Sequence, residues 1–160
     1  MRTLILMVLA LLALSAPAPA AAQTGEEREV LAVVQRMFHA MRTRDTVALR
    51  SVFGPGARLV GMRTARDGSV RVQELTAEQF VRFVADDQRA EWIERMWEPE
   101  VRITGTLATV WTAYDFHFAT QFSHCGHDAF QLLKLPEGWK IVSIADTYVR
   151  EGCPRRDPPG

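Results

Sequence analysis

Residues 107–149 constrain this chain more than any other stretch. They read as three consecutive antiparallel strands, 107–119 (LATVWTAYDFHFA), 127–135 (HDAFQLLKL) and 139–149 (WKIVSIADTYV), rich in β-branched and aromatic residues. The turn Pro136-Glu137-Gly138 joins the last two, and a polar insert at 121–126 separates the first two. Strand side chains alternate between faces. A turn centred on Glu137 pairs Leu135 with Trp139, Leu133 with Ile141 and Asp128 with Asp146. Placing Phe118 opposite His127 sets His117 opposite Asp128. In that register one face carries Trp111, Ala113, Asp115, His117, Asp128, Phe130, Leu132, Val142, Ile144 and Asp146. The other carries Val110, Tyr114, Phe116, Phe118, Ala129, Leu133, Trp139 and Ile141. Both faces are apolar enough to need cover, one by helices and the other by a second subunit. A slip of one residue would exchange the two faces.

The first 22 residues are expected to stand outside this fold. Arg2 precedes an apolar run at 4–14, and Ala20-Ala21-Ala22 makes a small-residue cleavage pattern before Gln23. That is the pattern of a secretory signal peptide, and it implies export to a periplasm or the extracellular space. The run is too short for a transmembrane helix. No Cys stands at the cleavage point to carry a lipid, so no membrane anchor is expected after cleavage. The remainder fits one domain at 23–153, followed by a disordered tail at 154–160. Its 19 basic and 19 acidic residues balance over the full chain. Without a basic stripe the chain has no means of neutralising a phosphate backbone, which argues against nucleic acid as a partner.

The rest of the chain supplies helices and shorter strands. Residues 26–44 place Val30, Val33, Val34, Met37, Phe38 and Met41 at helical spacing. Asp45 or Thr46 can cap a second helix at 47–53, which Gly54-Pro55-Gly56 would end. A strand at 57–62, the turn Asp67-Gly68 and a returning strand at 70–75 make a hairpin. Thr76-Ala77-Glu78-Gln79 is a capping box that opens a third helix, to about residue 88. Residues 91–104 alternate, with Trp92, Glu94 and Met96 opposed to Ile93, Arg95 and Trp97, and Pro99 marks a bulge or an edge. Cys125 and Cys153 fall at neighbouring ends of the last two strands, so a disulfide is expected in an exported protein, the alternative being two free thiols.

Three stretches carry a family resemblance. They are Arg44-Asp45-Thr46-Val47-Ala48-Leu49 after the first helix, Val110-Trp111-Thr112-Ala113-Tyr114-Asp115-Phe116, and Ser123-His124-Cys125-Gly126-His127-Asp128 running on to Gly138-Trp139-Lys140-Ile141. With the order of elements they resemble the nuclear transport factor 2-like (NTF2-like) superfamily over residues 26–153. The small exported bacterial members described as SnoaL-like, DUF4440-like or lumazine-binding-like are the most similar in pattern. The resemblance implies an α+β cone, a strongly curved antiparallel sheet wrapped around three N-terminal helices. It also implies an apolar pocket in the cone and a homodimer through the outer sheet face. Catalytic members use a pocket Asp as base with a Tyr or a protonated acid, but no such set aligns residue by residue here.

Two function classes follow. In the first, the cone binds a small hydrophobic or aromatic molecule without a cofactor, and Trp111, Phe130, Leu132, Ile144 and Asp146 line the pocket. In the second, a cofactor-free isomerase, cyclase or hydrolase uses His117 with Asp115 or Asp128, since a histidine paired with carboxylates can act as a base near neutral pH. Against the second stands a structural ion pair at a strand end, supporting the Cys125 loop. A cell-envelope interaction module using the outer face is a third. His124, Cys125, His127 and Asp128 do not have the spacing of a zinc site, so no metal is expected. An enzyme should turn His117 and a carboxylate into a closed pocket. A binding protein should show pocket polar groups that are already satisfied.

Overall fold

The computed structural model describes residues 23–159 other than 66, 89 and 155, so the expected signal peptide lies outside the described residues. Three helices, α1 (Gly25–Thr43), α2 (Thr46–Val52) and α3 (Ala77–Asp86), pack on one six-stranded sheet. Its strands are β1 (Phe53–Thr64), β2 (Val70–Thr76), β3 (Trp92–Thr104), β4 (Leu107–Phe118), β5 (Gln121–Leu135) and β6 (Gly138–Tyr148), in spatial order β2-β1-β6-β5-β4-β3. The sheet is mixed rather than wholly antiparallel, because β1 and β6 run parallel. The two are remote in sequence, so no hairpin dictates their direction. Among the described residues no helix is long and apolar enough to cross a membrane.

Local chemistry explains the helix ends. Thr24 Oγ1 accepts from the Glu27 N–H while the Glu27 carboxylate accepts from the Thr24 N–H, a complete capping box that satisfies two donors at the start of α1. Thr76 and Gln79 repeat the device on α3, and Asp45 caps α2. Arg44 ends α1 in the left-handed region, at φ 54°. Its guanidinium donates to the carbonyls of Asp87 (3.0 Å) and Ala90 (2.6 Å), tying the α3–β3 loop to the end of α1. The apolar stripe of α1 (Val30, Val34, Met37, Met41) lies on Val110, Phe130, Leu132 and Ile141 of the inner sheet face in one core.

Two expectations about strand limits are corrected. The polar insert 121–126 is not a loop but the first part of β5, joined to β4 through Ala119 and Thr120, and Ala119 adopts φ 51°. Gly54-Pro55-Gly56 does not stop the chain but lies within β1, where the pairing with β6 shifts between Phe53 and Arg58. Pro99 does mark a bulge, between Trp97 and Glu100, with Glu98 at φ 51°.

The disulfide between Cys125 and Cys153 is present, with Cα atoms 5.9 Å apart. Cys125 also exchanges both backbone hydrogen bonds with Val149 (3.0 and 2.9 Å), so the covalent link closes the open end of the β5–β6 pair. Replacing both cysteines by serine is expected to cost about 3.5 kcal/mol through loop-closure entropy. Urea unfolding of the oxidised protein and the double variant measures it, and equal midpoints would overturn it. Beyond the disulfide, Arg156 lies 3.8 Å over the Trp97 ring and the Asp157 carbonyl accepts from Arg95 (2.9 Å), so the tail crosses the outer sheet face there.

Candidate functional site

The register decides which side chains reach the inner face. The tight β4–β5 turn pairs Phe118 with Gln121, not with His127, and His127 lies opposite Ala113. On β5 and β6 the expected map errs by one residue next to the turn, where Lys134 faces Trp139 and Leu132 faces Ile141. A bulge at Val142 restores it, and Asp128 faces Asp146 as expected. The residues that were expected to share a face are therefore divided. Asp128, Phe130, Leu132, Ile144 and Asp146 lie on the inner face with Tyr114 and Phe116. Trp111, Asp115 and His117 lie on the outer face.

On that outer face Asp115 is held by Arg95 in a two-point fork, Nε to Oδ1 at 2.8 Å and Nη2 to Oδ2 at 2.7 Å. His117 Nδ1 stands 3.7 Å from Asp115 Oδ1. Burial holds the His117 pKa below its usual value, with Arg95 adding to that and Asp115 opposing it. Asp115 faces Cys125 across the strands, so the group is a partly buried ion pair next to the disulfide. Trp111 is 51 % exposed and stacks on His127 at 5.2 Å. None of these three reaches the cavity described next.

Between the inner sheet face and the helices α1 and α3 lies a cavity of about 540 Å³. Met37 and Met41 of α1, Phe80 of α3, Leu59 of β1 and Ile144 of β6 form its aliphatic side. Trp92, Phe116 and Phe118 form an aromatic wall, packed edge to face with ring centroids 5.3 to 6.3 Å apart. Such a wall offers flat π faces and ring edges to a planar guest. Of the residues expected in the pocket, Phe130, Ile144 and Asp146 line the cavity, as does Asp128, while Leu132 is fully buried in the core beneath it.

The polar part of the cavity was only partly legible. Glu94, half-buried on β3, hydrogen bonds to Asp128. Asp128 is 2 % exposed, and its Oδ2 meets no protein N–H or O–H donor among the described residues. A carboxyl that keeps its proton near neutral pH can donate to such an oxygen. Burial, with Asp146 and Asp115 adding repulsion, pushes Glu94 up to about 8 even though the bond from Asp128 opposes it. Burial pushes Asp128 well up too, and the nearby Glu94 and Asp146 push it further. Burial raises Asp146 to about 6, with Arg63 opposing. The signal for Glu94 was present in the sequence: it is the one acid on the apolar Trp92–Met96 face of its strand.

Three further polar side chains of the cavity have partners within the protein. The Tyr114 hydroxyl donates to the Thr147 carbonyl at 2.9 Å, and burial beside the acids keeps it protonated. Trp92 Nε1 donates to Asp87 Oδ2 at 3.3 Å. His124, at the mouth, lies between Phe116 (4.9 Å) and Tyr148 (3.8 Å), both stacked, with Nδ1 2.9 Å from Ser123 Oγ. Burial and the positive charges of Arg63 and Arg150 lower its pKa to about 3, so the ring is neutral. Among the described residues no His, Cys, Asp and Glu side chains cluster as metal ligands.

Known proteins resemble the chain in two ways. Residues 25–145 match the family described as "Putative lumazine-binding". No curated protein matches. Among solved structures, an NTF2-like protein of unknown function from Shewanella baltica OS155 superposes with a TM-score of 0.59 at 16% identity, covering 82% of this chain and all of its own (100%). An NTF2-like superfamily protein from Salmonella enterica serovar Typhimurium gives 0.61 at 14% identity over 79% of this chain and 92% of that one. A "putative dehydratase from the NTF2-like family" of Streptomyces avermitilis gives 0.56 at 16% identity over 77% and 95%. At these identities the structures speak for the fold alone.

Proposed function

We propose that this chain, which belongs to the lumazine-binding-like family of the NTF2-like superfamily, binds one small planar organic molecule non-covalently in its cone cavity. The observation that carries this reading is the pairing of an aromatic wall with polar groups whose protons are already committed. Tyr114 spends its proton on Thr147, Trp92 on Asp87, and His124 is a neutral ring locked in a stack. A site built this way orients a guest and has little to move. A volume of about 540 Å³ lies in the range of small-molecule pockets. The expected signal peptide and the disulfide both support export of this binder.

Trp92 is the reporter. A planar aromatic guest is expected to quench its fluorescence, and Trp92→Ala is expected to weaken binding by about tenfold. Titration of the protein and of Trp92→Phe with a panel of uncharged bicyclic aromatics tests this. Binding that leaves Trp92 emission unchanged would place the guest elsewhere and sink the reading.

One observation favours the enzyme alternative. Glu94 and Asp128 keep a proton near neutral pH while Asp146, facing Asp128, loses its own near pH 6. An acid beside a base is the minimum for moving a proton within a substrate. The pocket histidine in this case is His124, not His117. Turnover that Asp128→Asn abolishes while binding persists would establish this alternative over simple binding. The outer face, with Trp111, Leu107 and Leu133 exposed, is the surface we assign to a homodimer. Trp111→Arg is expected to halve the mass in sedimentation, and an unchanged mass would remove that assignment.

A further inference from the structure

We propose that Arg63, Arg71 and Arg150 form an oxyanion-binding site at the mouth of the cone cavity, for a phosphate or carboxylate group on the molecule whose body occupies the cavity. The inference rests on the binding reading given above and adds the charge of the ligand to it.

Strand register brings these three residues together. In the β1–β2 pair Arg63 lies directly opposite Arg71, and in the parallel β1–β6 pair it lies opposite Tyr148. Arg150 returns to the same tyrosine, donating from Nε (3.1 Å) and Nη2 (2.9 Å) to its hydroxyl oxygen. The Arg63 guanidinium stacks over the Tyr148 ring at 4.3 Å. All three arginines line an outer groove of about 690 Å³. Arg63, Tyr148 and Arg150 also line the inner cavity, so groove and cavity meet at those residues.

Among the described residues no salt bridge neutralises the charge on this rim. Arg42, Arg50, Arg58 and Arg95 each form a salt bridge with a carboxylate. Arg63, Arg71 and Arg150 form none among the described residues. The acid in the groove itself is Glu151, which is exposed. Deeper in, Asp146 feels Arg63 and still keeps a raised pKa, so it does not hold that guanidinium as a full ion pair. His124 is neutral and brings no charge. Like charges directly opposite on neighbouring strands destabilise a sheet. An oxyanion between Arg63 and Arg71 turns that repulsion into two charge-assisted hydrogen-bond forks, the geometry guanidinium groups favour. Two arginines fixed on an aromatic ring lose little side-chain freedom on binding.

Calorimetric titration of the protein with inorganic phosphate, phenyl phosphate and phenol tests the proposal. Both phosphates are expected to bind, phenyl phosphate more tightly. Arg71→Ala and Arg150→Ala are each expected to weaken both by about tenfold, and Arg71→Ala, which lies outside the cavity lining, to leave phenol unaffected. Arg71→Lys is expected to recover part of the loss, because the charge returns without the fork. Both positions are exposed, so an unchanged urea midpoint confirms that the variants fold. Phosphate binding that ignores both alanine substitutions, or no phosphate binding at all, overturns the site. If phenol still quenches Trp92 in that case, the cavity reading survives alone. If the two phosphates bind equally and arginine-dependently, the oxyanion site stands and the cavity reading falls.

Discussion

Gly126→Ala is expected to destabilise the protein by more than about 4 kcal/mol, at the far end of what single substitutions do. Gly126 lies on the inner face of β5, opposite Tyr114. A Cβ there would stand 1.8 Å from the Thr147 carbonyl oxygen and 2.8 Å from Tyr114 Cε1. The first contact is with backbone, so no side-chain rotation relieves it. The β6 strand would have to move away from β5, breaking the Tyr114–Thr147 hydrogen bond and the bond from the His127 N–H to Thr147 Oγ1. Tyr114 lines the cavity, so the substitution is also expected to abolish ligand binding. Tyr114→Phe is the milder companion, losing the hydroxyl bond at about 1 kcal/mol and leaving the strands in place. Urea unfolding of the three proteins measures the difference. A wild-type midpoint for Gly126→Ala would mean that β5 and β6 do not approach each other this closely.

The second large effect is on pH dependence. Unfolded, Glu94 and Asp128 ionise at ordinary carboxyl values, while in the fold Glu94 keeps its proton to about pH 8 and Asp128 stays well above its usual range. Between those limits the native state binds more protons than the unfolded chain, so stability falls as pH rises. Asp146, raised to about 6, acts with the same sign below pH 6. The buried histidines act with the opposite sign: His124 is lowered to about 3 and His117 is lowered too, so their contribution grows as pH rises toward 6.5. Above pH 6.5 the histidines are neutral in both states, and the carboxyl pair dominates. Stability is therefore expected to fall by roughly 2–4 kcal/mol from pH 6.5 to 8.5. Glu94→Gln should flatten this slope, since an amide donates to Asp128 without carrying charge. Equal slopes in the two proteins would show that Glu94 is ionised at neutral pH and does not share a proton. A ligand with its own N–H donor for Asp128 Oδ2 should also reduce the slope.

The elements of this fold could be read from the chain because each has a local cause. The Thr24–Glu27 and Thr76–Gln79 capping boxes, the spacing of Val30 to Met41, the Asp67-Gly68 turn and the Pro99 bulge depend on neighbours within a few residues. The site was legible in part, for a physical reason visible in two places. Near the β5–β6 turn the assumed loop was one residue too long, and the bulge at Val142 cancelled the error, so Asp128 and Asp146 were placed together. At the β4–β5 turn a six-residue insert was assumed where the chain turns through two residues, a displacement of six residues that by itself keeps every side chain on its face. The bulge at Ser123, between the His117–Phe122 and Phe116–His124 pairs, adds one residue with nothing downstream to cancel it, and so puts Asp115 and His117 on the opposite side of the sheet from Asp128.

What the sequence determined by itself is the alternation of apolar and polar residues, the caps and turns, and hence the set of strands and helices with their two possible faces. Which face became the cavity was decided only in three dimensions. A bulge or a tight turn shifts side-chain parity by one residue at almost no local cost, and sequence pattern is nearly blind to it. The pairings that give the cavity its chemistry, Glu94 with Asp128, Tyr114 with Thr147 and Arg63 with Arg71, join different strands. The first two exist because the sheet curves over α1 and takes those groups out of water, and the third, which stays exposed, because β1 and β2 pair in that register; no single stretch of the chain encodes either.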